Sequence, residues 1–287
     1  MILITGASGN VGKEVLAQAA ETGHKIRAAF QSMAKVVVPD GVEAACVDFN
    51  EPDTLRAALV GVNSVFMVGP PTSQLISLER RATDVLAESK VKRVVKLSAM
   101  GGRESTFPRQ HQESEDYIRA KKLPYTFLRP NGFMQNLVNY SSATIRSMGR
   151  FFGSEDNGKI SQIDLRDVAA VAVKTLTEDG HVGEVYTLTG PEPLSNHQVA
   201  RILSDALGRE IQFVNLSSDD LKTGLLSAGV PEWNANALVD LQKLYRAGKA
   251  AEVTEDVERI LRRKPRSVRE FVIDYRSAFE EAANPAD

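Results

Sequence analysis

Between the apolar run Met1-Ile2-Leu3-Ile4 and the segment Lys13-Glu14-Val15-Leu16-Ala17-Gln18-Ala19-Ala20 lies the stretch Thr5-Gly6-Ala7-Ser8-Gly9-Asn10-Val11-Gly12. The first run reads as a buried strand and the last segment as a helix. A strand, a glycine-rich turn and a helix in that order form a phosphate cradle. Glycines let the backbone turn sharply and approach a pyrophosphate. The free N–H groups and the positive dipole end of the helix then hold the negative charge. The chain is therefore expected to bind a dinucleotide through Gly6, Ser8, Gly9, Asn10, Val11 and Gly12.

The common dinucleotide fingerprint carries glycines at its first, third and sixth positions. Counted from Gly6, this chain has Ser8 at the third position, and Gly9 and Gly12 at the fourth and seventh. That TGxxGxxG spacing resembles the short-chain dehydrogenase/reductase superfamily, in its extended and atypical branches.

The 287 residues are enough for one large domain or two coupled ones. A composition of 43% hydrophobic and 25% charged residues is that of an ordinary globular protein. A net charge of -2 gives no chain-wide attraction to nucleic acid or to an anionic membrane surface. No apolar run approaches the roughly 18 residues that span a bilayer. Met1 leads directly into the first strand, leaving no room for a signal peptide. A cytoplasmic protein is expected. Cys46 has no cysteine to pair with and falls in an apolar strand, where a core thiol is expected.

The first half alternates strands (2–5, 25–30, 43–47, 64–68, 93–98, 125–128) with helices (11–21, 52–59, 73–89, 110–121). Continuous apolar strands such as Val65-Phe66-Met67-Val68 suit a parallel sheet covered on both faces. The expected fold is α/β, a Rossmann-type doubly wound parallel sheet with right-handed crossovers. After Pro130 the rhythm changes. A helix over 134–149, a loop over 153–159, a strand over 160–163, a helix over 167–176 and a strand over 184–188 are expected. From Ser195 the pattern is mainly helical, with helix starts at Ser195/Gln198, Ser217/Asp220 and Ser267/Glu270. These helices are expected to form a smaller C-terminal lobe.

An NAD-binding site places a carboxylate at the end of the second strand to hold the ribose 2′-hydroxyl. Here that region reads Phe30-Gln31-Ser32-Met33-Ala34-Lys35 and contains none. A carboxylate would repel a 2′-phosphate, so its absence admits NADP. Lys35 supplies a charge, with Gln31 and Ser32 as hydrogen-bond donors. NADP is favoured, with NAD as the alternative. Asp48 and Phe49, ending the third strand, are placed to contact adenine, or are a turn acid and a packed aromatic. His24, His181 and His197 lack partners at metal-ligand spacing, and no metal is assigned.

Several further motifs join the glycine turn: Val47-Asp48-Phe49-Asn50-Glu51-Pro52, Lys96-Leu97-Ser98-Ala99, His111 with Glu115, Leu123-Pro124-Tyr125-Thr126-Phe127-Leu128-Arg129-Pro130-Asn131-Gly132-Phe133-Met134, Ile163-Asp164-Leu165-Arg166-Asp167-Val168-Ala169 and Gly183-Glu184-Val185-Tyr186-Thr187-Leu188-Thr189-Gly190-Pro191. Together and in order they resemble the NmrA-like, atypical short-chain dehydrogenase/reductases, in particular the triphenylmethane reductase and NADPH:quinone oxidoreductase group. The resemblance implies a cofactor domain of residues 1–133 plus about 158–190. It implies a substrate-facing lobe of about 134–157 plus 191–287, and an active site in the cleft between them. It places the nicotinamide end near Gly69, Pro70, Ser98, Pro130, Asn131 and Phe133. Family members occur as monomers and homodimers.

Most short-chain dehydrogenases carry a Tyr and a Lys spaced YxxxK, for proton transfer at the substrate oxygen. The positions that fall there are His111 and Glu115, or Phe107 and His111 one turn earlier, and neither restores the pair. Tyr117 and Lys121 do spell YxxxK but lie too close to the next strand. Three functions remain open. One is a reductase of a small electron-poor acceptor, a quinone or cationic dye, for which hydride proximity suffices. The second uses His111 as general acid, against a surface histidine paired with Glu115. The third is a non-catalytic NADP(H)-sensing regulator of the NmrA type. Phe133, Met134 and the sole tryptophan, Trp233, are candidate substrate contacts, or core residues.

Overall fold

The computed structural model describes residues 1–34 and 36–280. The chain forms two compact units. Among the described residues, the first comprises Met1–Pro130, Leu165–Leu188 and Asp256–Arg263, and the second Asn131–Asp164, Thr189–Glu255 and 264–280.

The first unit is built on seven parallel strands: β1 (Ile2–Ile4), β2 (Ile26–Phe30), β3 (Glu43–Cys46), β4 (Ser64–Met67), β5 (Arg93–Leu97), β6 (Tyr125–Pro130) and β9 (Val185–Leu188). Their spatial order is β3-β2-β1-β4-β5-β6-β9, all neighbours parallel. The order reverses between β1 and β4, the switch point where doubly wound sheets bind ligands. Side chains alternate across each strand. Leu3, Val65, Met67, Val94 and Phe127 point to the face covered by α2 (Pro52–Ala58), α3 (Leu75–Glu88) and α4 (Thr106–Ala120), where Leu55, Ala82, Val85, Leu86 and Ile118 complete one core. On the other face α1 (Asn10–Ala20) packs against α6 (Leu165–Thr177). Each wholly buried leucine or valine in such a core contributes about 1.5–3 kcal/mol.

Helix α4 starts earlier than expected because Pro108 sits in its first turn, where a missing N–H costs nothing. Cys46 corrects the expectation of a core thiol: it is exposed. Strand β3 is the sheet edge, paired only with β2, and its residues are exposed or half-buried. An apolar run at an edge does not imply burial on both faces. No helix of the described residues is long and apolar enough to cross a membrane.

In the second unit the helix expected over 134–149 is interrupted. A π-helical turn, Leu137–Ser141, leads into α5 (Ser142–Met148), closed by Gly149 at φ 62°. The expected loop over 153–159 is flanked by short strands, β7 (Arg150–Gly153) and β8 (Lys159–Ile160), and Ile163 makes only an isolated bridge to Phe133. Strand β11 (Gln212–Asn215) pairs in parallel with β7, and β10 (Leu194–Ser195) antiparallel with β8. The helices are α7 (Asn196–Leu207), α8 (Ser218–Ser227), α9 (Glu232–Arg246), α11 (Val268–Asp274) and α12 (Arg276–Phe279), while α10 (Asp256–Leu261) belongs to the first unit. All three expected helix starts are present, and Ser195/Gln198 and Ser267/Glu270 form full capping boxes.

Glu155 is a buried acid in this unit, with Oε1 accepting from Asn196 Nδ2 and Oε2 lacking a hydrogen-bond partner. Burial pushes its carboxyl above the usual range. A carboxyl raised on folding stabilises the protein at low pH, and that contribution is lost as pH rises through the folded value. Stability is therefore expected to fall as pH rises above the ordinary carboxylate range, and Glu155→Gln to flatten that slope in urea titrations.

Candidate functional site

The cradle lies at the carboxyl end of β1. Thr5 clips β1 to β4, its Oγ1 donating to Phe66 O (3.0 Å) and accepting from Val68 N (3.0 Å). Gly6 turns the chain at φ 62°, and a Cβ there would stand 2.7 Å from Val68 Cγ1. Gly9 N donates to Gly6 O at 2.9 Å, tightening the turn. A Cβ on Gly12 would lie 2.1 Å from Gly6 O, so only glycine permits this contact of helix and turn. Ser8, Gly9 and Asn10 are exposed, α1 has Gly9 as its N-cap with no side-chain cap, and no acid stands in its first turn. Uncapped N–H groups at a positive dipole end, free of acids, suit a pyrophosphate.

At the end of β2 there is no carboxylate from Phe30 to Ala34, and Gln31 and Ser32 are exposed. Lys35 lies outside the described residues. Gln31 Nε2 donates to Asp48 Oδ2 (3.4 Å), and Asp48 Oδ1 accepts from Asn50 N (2.8 Å). The Asn50 N–H chiefly holds the Asp48 carboxyl below its usual range. Phe49 is half-buried and packs on the α2–α3–α4 core. Gly69, Pro70, Ser98 and Pro130 stand at or just beyond the carboxyl ends of the adjacent strands β4, β5 and β6.

Helix α4 carries the two residues expected where YxxxK falls, but they do not pair with each other. Glu115 is fully buried. Its Oε1 accepts from Ser98 Oγ (2.6 Å) and Arg129 Nε (2.9 Å), binding α4 to the ends of β5 and β6. The expected His111–Glu115 surface pair is thus replaced. Half-buried His111 turns Nδ1 to Lys96 Nζ at 3.0 Å. Burial, and then the Lys96 charge, hold its pKa well below the ordinary imidazole range. That direction favours the neutral ring over an imidazolium general acid. Tyr117 and Lys121 instead share Asp84 on α3, through a hydrogen bond of 2.8 Å and an ion pair of 2.6 Å.

Glu79 and Lys96, which no sequence motif singles out for a role, are wholly buried and 3.0 Å apart. A faint signal exists: Glu79 sits among Leu75, Leu78, Ala82, Val85 and Leu86 on the apolar stripe of α3, and Lys96 interrupts an apolar strand.

The remaining candidates belong to the second unit. Asn131 is buried with its amide engaged: Nδ2 donates to Ser161 Oγ and Ala250 O (both 2.8 Å), and Oδ1 accepts from Gly132 N (2.9 Å). Met134 is wholly buried in the core with Leu137, Ile145 and Phe271. Phe133 and Trp233 are half-buried.

A seven-stranded parallel sheet with a glycine cradle at its switch point defines a Rossmann-type dinucleotide-binding fold. The chain belongs to the NmrA-like family, whose profile matches residues 1–272. It is 34% identical over 284 residues to an NAD(P)H azoreductase of Xenophilus azovorans, covering 97% of this chain and 99% of the relative. The triphenylmethane reductase of a Citrobacter species, solved with NADP(H), superposes with a TM-score of 0.87 at 25% identity, covering 96% and 99% of the two chains. An NADPH-dependent quinone oxidoreductase from Escherichia coli, solved with NADPH, gives 0.86 at 25% identity, covering 95% and 98%.

Proposed function

We propose that this chain is a cytoplasmic NAD(P)H-dependent reductase, preferring NADP(H), that delivers hydride to a small electron-poor acceptor such as a quinone, an azo compound or a cationic dye. The observation that carries this is the cradle closed by Gly12 against Gly6 O, in a chain matching an azoreductase almost end to end. Gly6, Gly9, Gly12 and the start of α1 would hold the pyrophosphate. The acid-free end of β2, with Gln31, Ser32 and Lys35, would take the 2′-phosphate. When bound, the reduced nicotinamide supplies the hydride. The chain's own task is positioning, which alone supplies much of the rate for a reactive acceptor. No Tyr/Lys pair is needed, since the reduced acceptor takes its proton from water.

The test follows nicotinamide absorbance with NADPH or NADH and a panel of quinones, azo dyes and triphenylmethane dyes. Acceptor-dependent oxidation is expected, with NADPH preferred by about tenfold or more, the worth of one charge-assisted contact. Tight NADP(H) binding without turnover of any acceptor would overturn the enzyme in favour of a sensor.

A further inference from the structure

Glu79, Lys96 and His111 form a chain of contacts on one face of the sheet. Period-two alternation puts Lys96 on the same side as Val94, toward α3 and α4. Its Nζ meets three acceptors: Glu79 Oε1 at 3.2 Å, Leu97 O at 2.9 Å and His111 Nδ1 at 3.0 Å. An ammonium has three protons to donate and accepts nothing. The carboxylate and the carbonyl take two, so Nδ1 must present its lone pair to the third. The proton of the neutral ring then resides on Nε2. Glu79 Oε1 also accepts from Gly69 N (3.2 Å), so the same carboxylate holds the loop that follows β4. Glu115, one turn along α4, faces Ser98 and Arg129 and leaves His111 to Lys96.

We propose that Lys96 and Glu79 are positioning residues that lock His111 as a neutral Nε2–H donor, aimed at the acceptor atom that gains negative charge as hydride arrives. This rests on the reductase function proposed above and narrows its substrate class. On a quinone or azo compound, hydride forms one new bond and the π electron pair moves to the other oxygen or nitrogen. That atom becomes anionic, is stabilised by the Nε2–H, and then takes a proton from water. A neutral imidazole can polarise such an atom without being charged. On a triphenylmethane cation, hydride bonds to the central carbon and cancels the positive charge. No anion develops, and the donor has nothing to stabilise. The locked donor therefore selects quinone-like and azo acceptors over cationic dyes.

Two measurements test this. The first is ¹⁵N NMR of the ring nitrogens in the wild-type protein. His111 is expected to show protonated Nε2, bare Nδ1 and no titration between about pH 6 and 8, across the ordinary imidazole value. A proton on Nδ1, or an ordinary titration, overturns the lock whether or not turnover occurs. The second uses the double variant Glu79→Leu/Lys96→Met, which removes both buried charges and strands neither. Its ratio of kcat/KM for a quinone to that for a triphenylmethane dye is expected to fall about tenfold or more. An unchanged ratio in a folded, NADPH-binding double variant overturns the donor role. Absence of turnover by the wild type with every acceptor overturns the reductase function itself, and the NMR result then still decides the lock.

Discussion

Replacing Gly12 by alanine is expected to raise the dissociation constant for NADPH at least about 100-fold, since a misplacement near 1 Å costs that much in a positioned site. The added Cβ would meet Gly6 O at 2.1 Å, Gly6 C at 2.7 Å and Ala7 N at 3.1 Å. All three are backbone atoms of the turn itself, so no side chain can swing away to make room. The turn is also fixed from its other side, where Gly6 faces Val68 and Thr5 holds β1 to β4. Relief must come from moving the start of α1 away from the turn, which spreads the N–H groups meant to converge on the pyrophosphate. Fluorescence titration with NADPH reads the loss, and circular dichroism checks that the sheet persists. Wild-type affinity in G12A would contradict the cradle.

Glu115→Ala is expected to destabilise the protein by about 1–3 kcal/mol, the cost of leaving the buried Ser98 hydroxyl and the half-buried Arg129 guanidinium without their acceptor. Glu115 has no exposed surface, and it anchors Arg129 on β6 and Ser98 beyond β5 at once. The carboxylate raises the Arg129 guanidinium pKa, chiefly by hydrogen bonding, and because a guanidinium stays protonated in any case, the cation persists after its partner is gone. Glu115→Gln keeps an acceptor for Ser98 and is expected to cost less than the alanine variant. Chemical denaturation of the three proteins measures the order. Near-equal stability of wild type and E115A would show that the carboxylate does not tie α4 to the strand ends.

What could be read from the sequence was local in origin. The cradle was legible because a glycine turn, a preceding strand and a following helix are adjacent in the chain, and the steric demands on Gly6 and Gly12 arise within a few residues of one another. The helix starts at Ser195, Ser217 and Ser267 were legible for the same reason, each cap reaching only three residues ahead. The β7–β11 pair was not, because Arg150–Gly153 and Gln212–Asn215 are short strands joined only by pairing across a long interval of chain. Cys46 was misplaced because edge position is a property of the whole sheet. The contact of Lys96 with Glu79 and His111 needed the mutual placement of α3, β5 and α4. Composition could show a charged residue in each apolar stripe but not that the stripes face one another. His111 is legible from its spacing, while its contact with Lys96 is not, because the nearest neighbour a helical sequence can offer is Glu115, four residues along.

The central claim is that this chain binds reduced NADP and passes its hydride directly to an electron-poor acceptor. Single-turnover mixing of the protein with NADPH deuterated at the transferring position of the nicotinamide, followed with a quinone and an azo dye, addresses it most directly. Slower reduction with the deuterated cofactor, one NADPH consumed per two-electron reduction, is the predicted result. Acceptor reduction at the same rate with either cofactor, or none from a fully NADPH-loaded protein, would contradict the account.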